Sequence, residues 1–338
     1  MPAPRAASLN FLAKLFEPNR RSRSDTMSCP FLCPFIDRFA HTYSIVAHDP
    51  VTGDMGAAVQ SHWFSVGSIV TWGEAGVGVV ATQSMVNPGF GPEGLKLLRQ
   101  GKDPQGVVAE LIAADRGRDV RQLAVLDQQG RSAAFTGSRC VPECGHVVGD
   151  GYSVQANMMA SAKVWPAMAR AFEGSAGPLA ERMIAALEAA QAEGGDFRGS
   201  QSAALLVVQG TPTGKIWEDR RIDLRVEDHR EPVVELKRLL QVHRAYEGMN
   251  NGDLAVERGD MAEALRHYED AEERYPGNEE MLFWRAAMLA SNDRLDEALP
   301  LFAQVFARNP QWRDAVPALA RLGHLRASPE QVERIISR

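Results

Sequence analysis

From residue 42 to residue 136 apolar and polar positions alternate in short runs broken by Gly, Pro and Asp, which predicts strands rather than helices. The first run, TYSIVAH at 42–48, reads as a strand, DPVTGD as a turn built on Pro50 and Gly53, and 55–60 as the returning strand of a hairpin. Further strands are predicted at 68–72 and, after the turn GEAG, at 77–83. NPGFGP at 87–92 breaks the pattern, and helical periodicity follows at 93–99 and 103–115. A second hairpin is predicted from 122–127 and 131–136 around QQG, and one strand within 147–158. Helices are predicted at 160–172 and 178–192, the second with Leu179, Met183, Ile184 and Leu187 on one face. Strands at 202–208 and 222–226 are joined across GTPTG. The segment 232–246 reads as a helix, with Val233, Leu236, Leu239, Leu240 and His243 at helical spacing.

Hairpins dominate the strands and the helices come in groups, so the body reads as a layered α+β sandwich with antiparallel sheets. A doubly wound parallel sheet needs strict β-α alternation. One G-x-G-x-x-G occurs at Gly89, Gly91 and Gly94, but Pro92 removes a backbone N–H from any phosphate cradle and the preceding strand ends several residues upstream. The motif reads as a Gly/Pro turn feeding a helix.

Residues 249–338 repeat with an offset of 34. Glu263-Ala264-Leu265 matches Glu297-Ala298-Leu299, Tyr268 matches Phe302, Arg274 matches Arg308, and Pro276 matches Pro310; Leu254, Met288 and Leu322 continue the phase. A small Ala, an aromatic four residues on and a closing Pro at this period resemble tetratricopeptide repeats. Two repeats and a partial third cannot bury their faces alone, so the segment is expected to borrow an apolar face from the helix before it. Such repeats serve either as a docking groove for a protein partner or as a cap.

Charge divides the chain in the same places. The 338 residues carry a net charge of −6, with residues 1–41 at +3 and residues 249–338 at −5. The expected division is a leader at 1–41, disordered or removed, a body at 42–247 and a helical domain at 248–338. No basic field invites nucleic acid, and no run approaches the ~20 apolar residues of a membrane span. No secretory pattern is legible at the start, so a cytoplasmic location is expected. The four cysteines form two C-x3-C pairs, Cys29/Cys33 and Cys140/Cys144, more than 100 residues apart. Separate thiols are expected rather than a shared metal site.

Neither a zinc-protease H-E-x-x-H nor a G-x-S-x-G elbow is present. The distinctive feature is Thr42 at the start of the first strand, with Ser44 on the same face. A Thr whose α-amino group is free carries its own base, since that amine has a reference pKa of ~7.7–8.0. A strand-start Thr with no chemistry is the plain alternative.

The segments TYSIVAHDPVTGDMGAAVQSHWFSVG, GVGVVATQSMVNPGFGPEGLKLL, AVLDQQGRSAAFTGSRC, GHVVGDGYSVQANMM, GDFRGSQSAALLVV and IDLRVEDHREPVVELKRLL resemble the bacterial and archaeal family called domain of unknown function 1028, over about residues 42–247. The resemblance implies an N-terminal-nucleophile (Ntn) hydrolase fold, a four-layer αββα sandwich, here followed by a small all-α repeat domain. It places the nucleophile on Thr42. Family members typically begin Met-Thr, whereas here His41 precedes Thr42, so the α-nitrogen is an amide unless the first 41 residues are removed.

By the same resemblance Ser61 falls near the polar orienting residue of Ntn hydrolases. Asn87 and Asn157 are candidate oxyanion donors or turn braces. Ser44, Asp196, Arg198 and Gln201 are candidate substrate contacts, with a buried Asp–Arg brace as the alternative. Asp228 and His229 look similar to a family motif or cap a helix. The expected activity is hydrolysis of a small amide or related acyl compound, and the alternative is a non-catalytic scaffold or interaction protein. The substrate is a small molecule, with no cofactor, metal, nucleic acid or membrane, and homo-oligomers are expected because Ntn-fold proteins often assemble.

Overall fold

The computed structural model describes residues 39, 40 and 42–338. The expectations for the leader and for Cys29/Cys33 fall outside the described residues. Among the described residues eleven strands form two antiparallel sheets. The five-stranded sheet runs in the order β1 (Phe39–Ala40), β5 (Gly78–Met85), β6 (Arg121–Asp127), β7 (Ser132–Thr136), with β4 (Thr71–Glu74) also on β5. The six-stranded sheet runs β11 (Arg220–Val226), β10 (Ser202–Val208), β3 (Met55–Ser61), β2 (Thr42–His48), β9 (Tyr152–Ala156), β8 (Gly145–Gly149).

Strand alternation decides the layers. On β2, Tyr43, Ile45 and Ala47 face the helices while Val46 faces the other sheet. Helices α1 (Phe90–Arg99) and α2 (Pro104–Ala114) cover the five-stranded sheet through Leu95, Leu98, Val107 and Leu111 against Val80, Leu123 and Val125. Helices α3 (Val164–Gly174) and α4 (Leu179–Ala192), with the first half of α6 (Pro232–Glu257), cover the other sheet. The result is the αββα sandwich. Beyond it lie α7 (Met261–Arg274), α8 (Glu279–Ser291), α9 (Leu295–Arg308), α10 (Gln311–Leu322) and α11 (Pro329–Ile336). Among the described residues no helix is long and apolar enough to cross a membrane.

Several expectations change. The strand expected within 147–158 is β9, but it is joined by a partner that was not expected, β8, in a hairpin whose register pairs Gly149 with Tyr152 across Asp150-Gly151. Gly151 sits at φ +73°, a left-handed conformation that glycine adopts without a Cβ clash. Residues 66–68 form a 3-10 turn, and the strand expected at 68–72 starts at Thr71. The helix expected from 160 starts at Val164, because Met159 bridges Asp196 and the Ala160 N–H donates to Gly195 O at 2.9 Å. After GTPTG comes a further short helix, α5 (Ile216–Asp219).

The largest change is in α6, which runs 26 residues through the expected stop at 246 and the expected domain boundary at 248. Glycines in EGMNNGD suggest a terminator, yet here they serve packing. A Cβ at Gly252 would lie 2.6 Å from the Tyr268 ring. The missing side chain thus lets α7 lie close against α6. One helix therefore contributes Val233, Leu236 and Leu240 to the sandwich core and Ala245, Met249 and Ala255 to the repeat core.

Ala264 and Ala298 are fully buried, as the repeat phase predicts, and so are Tyr268 and Phe302. Leu254 and Leu322 depart from that phase: they are 51% and 67% exposed, while Met288 between them is 7% exposed. Only an inner repeat has neighbours on both sides, so the same position is covered in the middle and open at the ends.

Arg244 on α6 ties the repeat-bearing helix to the sandwich. It forms a fork to Glu181 of α4 (2.9 and 3.0 Å) and bonds Glu247 at 2.7 Å. Burial alone would push the Glu247 carboxyl up, but hydrogen bonds from His243 and Arg244 outweigh it and hold its pKa at about 2. Because the folded value lies below the ~4.3 of an unfolded Glu, its contribution is fully present above that pH and is lost as pH falls through 2. Glu247→Gln is expected to cost about 1 kcal/mol at pH 6 after solvent screening, with the two melting curves converging near the folded pKa. Ala298→Leu is expected to cost about 2 kcal/mol by overpacking a helix crossing, read as a lower thermal midpoint.

Candidate functional site

Inward-facing positions change character along the sandwich. At one end they are apolar, with Val46, Met55, Ala57, Val79, Ala124 and Leu126 between the sheets. At the other end each strand places a polar residue inward: Thr42 and Ser44 on β2, Ser61 on β3, Gln83 on β5, Gln122 on β6, Gln155 on β9 and Ser202 on β10, with Asn157 just beyond β9. All eight are fully buried. Buried amides in that number require a closed set of hydrogen bonds, since each donor or acceptor left without a partner costs about 1–3 kcal/mol.

Two glutamines centre the set, and Gln155 Oε1 is the one amide atom in it that lacks a partner among the described residues. Gln83 Nε2 donates to Thr42 O at 3.0 Å and to Gln122 Oε1 at 2.7 Å, and Gln83 Oε1 accepts from Ser44 Oγ at 2.7 Å. Asn157 Nδ2 also donates to Gln122 Oε1, at 2.9 Å. Gln122 Nε2 reaches Ala156 O, Gly145 O and Thr136 Oγ1 at 2.9 to 3.1 Å. His146 Nδ1 lies 2.8 Å from the same Thr136 hydroxyl. Gln155 Nε2 donates to Ala81 O and to Ser44 Oγ. Among the described residues the network contains no carboxylate, Lys or Arg, and it joins the sheets through side-chain amides together with the Ser44 and Thr136 hydroxyls.

Thr42 stands at its centre. The Thr42 carbonyl accepts from Asn157 N at 3.1 Å, Asn157 Nδ2 at 3.4 Å and Gln83 Nε2 at 3.0 Å. Its hydroxyl donates to Ser61 Oγ at 3.2 Å, and the two residues are register partners. The Thr42 side chain is fully buried. Just upstream, β1 runs along β5, pairing Phe39 with Met85 and Ala40 with Ser84, so the chain crosses from one sheet to the other immediately before Thr42.

The predicted site residues divide by place. Thr42, Ser44, Ser61 and Asn157 come together in the network. Asn87 does not join it: its side chain accepts from Gly89 N at 3.1 Å and hydrogen-bonds Asp115, bracing the turn into α1. Asp196, its carboxylate buried, pairs with Arg198 through Nε at 3.0 Å and Nη2 at 2.5 Å, and accepts from the His62 N–H at 3.5 Å. It thus anchors the residue after Ser61 from the helix-facing side. On that side burial pushes the Tyr43 phenol up, with the Asp196 charge adding to it. Gln201 lies beside Ser61 through its main chain, but its side chain turns to Asp228 at 3.2 Å.

Sequence reasoning missed Gln83, Gln122 and Gln155. Their signal was present: each is the one amide of its strand, at an inward position. Among the described residues no group of three His, Cys, Asp or Glu could hold a metal. Cys140 and Cys144 are free thiols, and burial pushes both up, away from the thiolate form. Gln122→Leu removes the acceptor of two buried amides and the donor to three oxygens. It is expected to cost about 3 kcal/mol in urea unfolding, against almost nothing for the exposed Gln128→Leu.

Comparison with known proteins agrees with this architecture. The family described as "Family of unknown function (DUF1028)" matches residues 42–236, and a tetratricopeptide repeat description matches residues 255–322. The crystal structure of protein SPO2555 from Silicibacter pomeroyi, itself assigned to DUF1028, is similar with a TM-score of 0.54 at 36% identity, covering 59% of this chain and 84% of that one. No curated protein matches. With the family match spanning more than half of its residues, the chain belongs to DUF1028, a family of unknown function.

Proposed function

We propose that the sandwich carries a latent amide-hydrolase site centred on Thr42, acting on a small amide or related acyl compound. The observation that supports this reading is the immobilisation of Thr42. Three donors fix its carbonyl and Ser61 accepts its hydroxyl, at the polar end of an αββα sandwich. A nucleophile held in this way needs no reorganisation before attack.

The chemistry requires a free α-amine. Once the peptide bond to His41 is hydrolysed, that amine takes the Thr42 hydroxyl proton as Oγ1 attacks the substrate carbonyl carbon. The proton then passes to the leaving nitrogen, the C–N bond breaks and an ester forms on Thr42. Water hydrolyses the ester and restores the hydroxyl. Asn157 and Gln83 act here as positioning residues, because their amides hold the Thr42 main chain. Cleavage before Thr42 would also remove the connection to β1 and open the end of the sandwich. The helical repeats are read as a surface for a protein partner, in keeping with their family match.

A version beginning Met-Thr42, from which methionine is removed because the next side chain is small, is expected to gain one probe mass from an electrophilic carbonyl reagent in intact mass spectrometry. Thr42→Ala in that version should gain none and fold normally, and Thr42→Ser should retain part of the labelling. The full chain should resist the reagent. Equal labelling of Thr42→Ala and its parent would overturn the reading.

A further inference from the structure

A groove of about 780 Å³ lies in the helical repeats, away from the Thr42 network. Its walls come from the second half of α6, from α7 and α8, and from residues 323–326. Three carboxylates line it, Asp253, Glu257 and Glu280, all exposed, against one arginine, Arg326. Hydroxyl groups orient two of the acids: Tyr268 donates to Asp253 at 2.6 Å, and Tyr246 to Glu280 at 3.3 Å. None of the three takes part in an ion pair among the described residues, whereas acids elsewhere on the repeats, such as Glu263, Glu269 and Glu272, do. The apolar part of the wall is Tyr246, Met249, Trp284 and Met288.

We infer that this groove binds a basic peptide segment, one that presents a lysine or arginine flanked by apolar residues. The inference rests on the reading of the repeats as a protein-docking surface and adds the chemistry of the partner. Charge complementarity selects the occupant, since the groove carries an excess of oriented, unpaired carboxylates and the repeat segment as a whole has a net charge of −5. A Lys or Arg stem lies along the Trp284 and Tyr246 rings, where the cation also meets the π faces. Its charged head reaches Glu257 and Glu280. Flanking apolar side chains lie against the exposed parts of the Tyr246 and Trp284 rings, with Met249 and Met288 buried behind them. An acidic segment would instead bring like charges together and is excluded from the groove.

The test screens the full chain against an immobilised random heptapeptide library, then measures the best peptides by fluorescence anisotropy. Enrichment of Lys or Arg beside Leu, Ile, Phe or Met is expected, with binding that weakens as salt rises. Glu257→Gln with Glu280→Gln should weaken that binding by about tenfold, and Glu93→Gln on α1 should leave it unchanged. Circular dichroism of each variant checks that the helices persist. Enrichment of acidic or uncharged peptides would overturn the basic-partner assignment while keeping the docking reading. No enrichment of any sequence, with the sedimentation coefficient unchanged in the double variant, would overturn both. Binding unaffected by the two substitutions would place the peptide elsewhere and sink the assignment. A fall in sedimentation coefficient in the double variant, with no peptide bound by the parent, would make the occupant a second copy of the chain.

Discussion

Eight polar side chains sit between two sheets with no water-facing surface, and their hydrogen bonds set the register of the sandwich. Gln83 and Gln122 come from one sheet and bond each other, and Thr42, Ser44, Gln155 and Asn157 come from the other, so the bonds between the two groups cross the interface. A one-residue slip of any of these strands would turn its amide into a helix-packed apolar layer and leave the partners unsatisfied. Apolar contacts at the opposite end supply attraction between the sheets but little specificity. The directional amides supply that. The same bonds fix the Thr42 carbonyl, so the element that aligns the sheets also positions the candidate nucleophile.

The attachment of the repeats depends on a second constraint, the continuity of α6. A two-repeat array cannot cover its own first helix, and here that helix is the extension of one already anchored in the sandwich. Glycines at 248 and 252 let α7 approach, and Arg244 secures the helix to α4 at the point where it leaves the sandwich. The repeat core is then completed by Ala264, Phe283, Ala298 and Phe302 without a capping domain of its own. The acidic groove lies on the surface that this arrangement leaves uncovered.

Part of the candidate site was legible in the residues. Thr42, Ser61, Asn87 and Asn157 were picked as a group, and the structure brings Thr42, Ser61 and Asn157 together. Asn87 looked equivalent to Asn157, since both are amides close to strand ends, but local backbone geometry absorbs Asn87 into the turn ahead of α1. Gln201 is separated from the network by the direction of its side chain, which strand alternation cannot give for a residue just outside the strand. Gln83, Gln122 and Gln155 went unread because a single buried amide looks like an ordinary polar position until its partners on another sheet are known.

Alternation, turn residues and the 34-residue phase are local properties, and they were enough to establish an antiparallel α+β sandwich followed by helical repeats, with Ala264 and Ala298 at the crossings. Burial of Thr42, the cross-sheet amide network, the passage of α6 through its glycines and the exposure of Leu254 and Leu322 are not local. Each depends on which distant segment packs against the residue: β1 and β5 beside Thr42, Tyr268 against Gly252, and the neighbours that cover Met288 but not Leu254 or Leu322. A sequence records the chemical type of each side chain, whereas its satisfaction and exposure are set by neighbours that only the folded chain supplies.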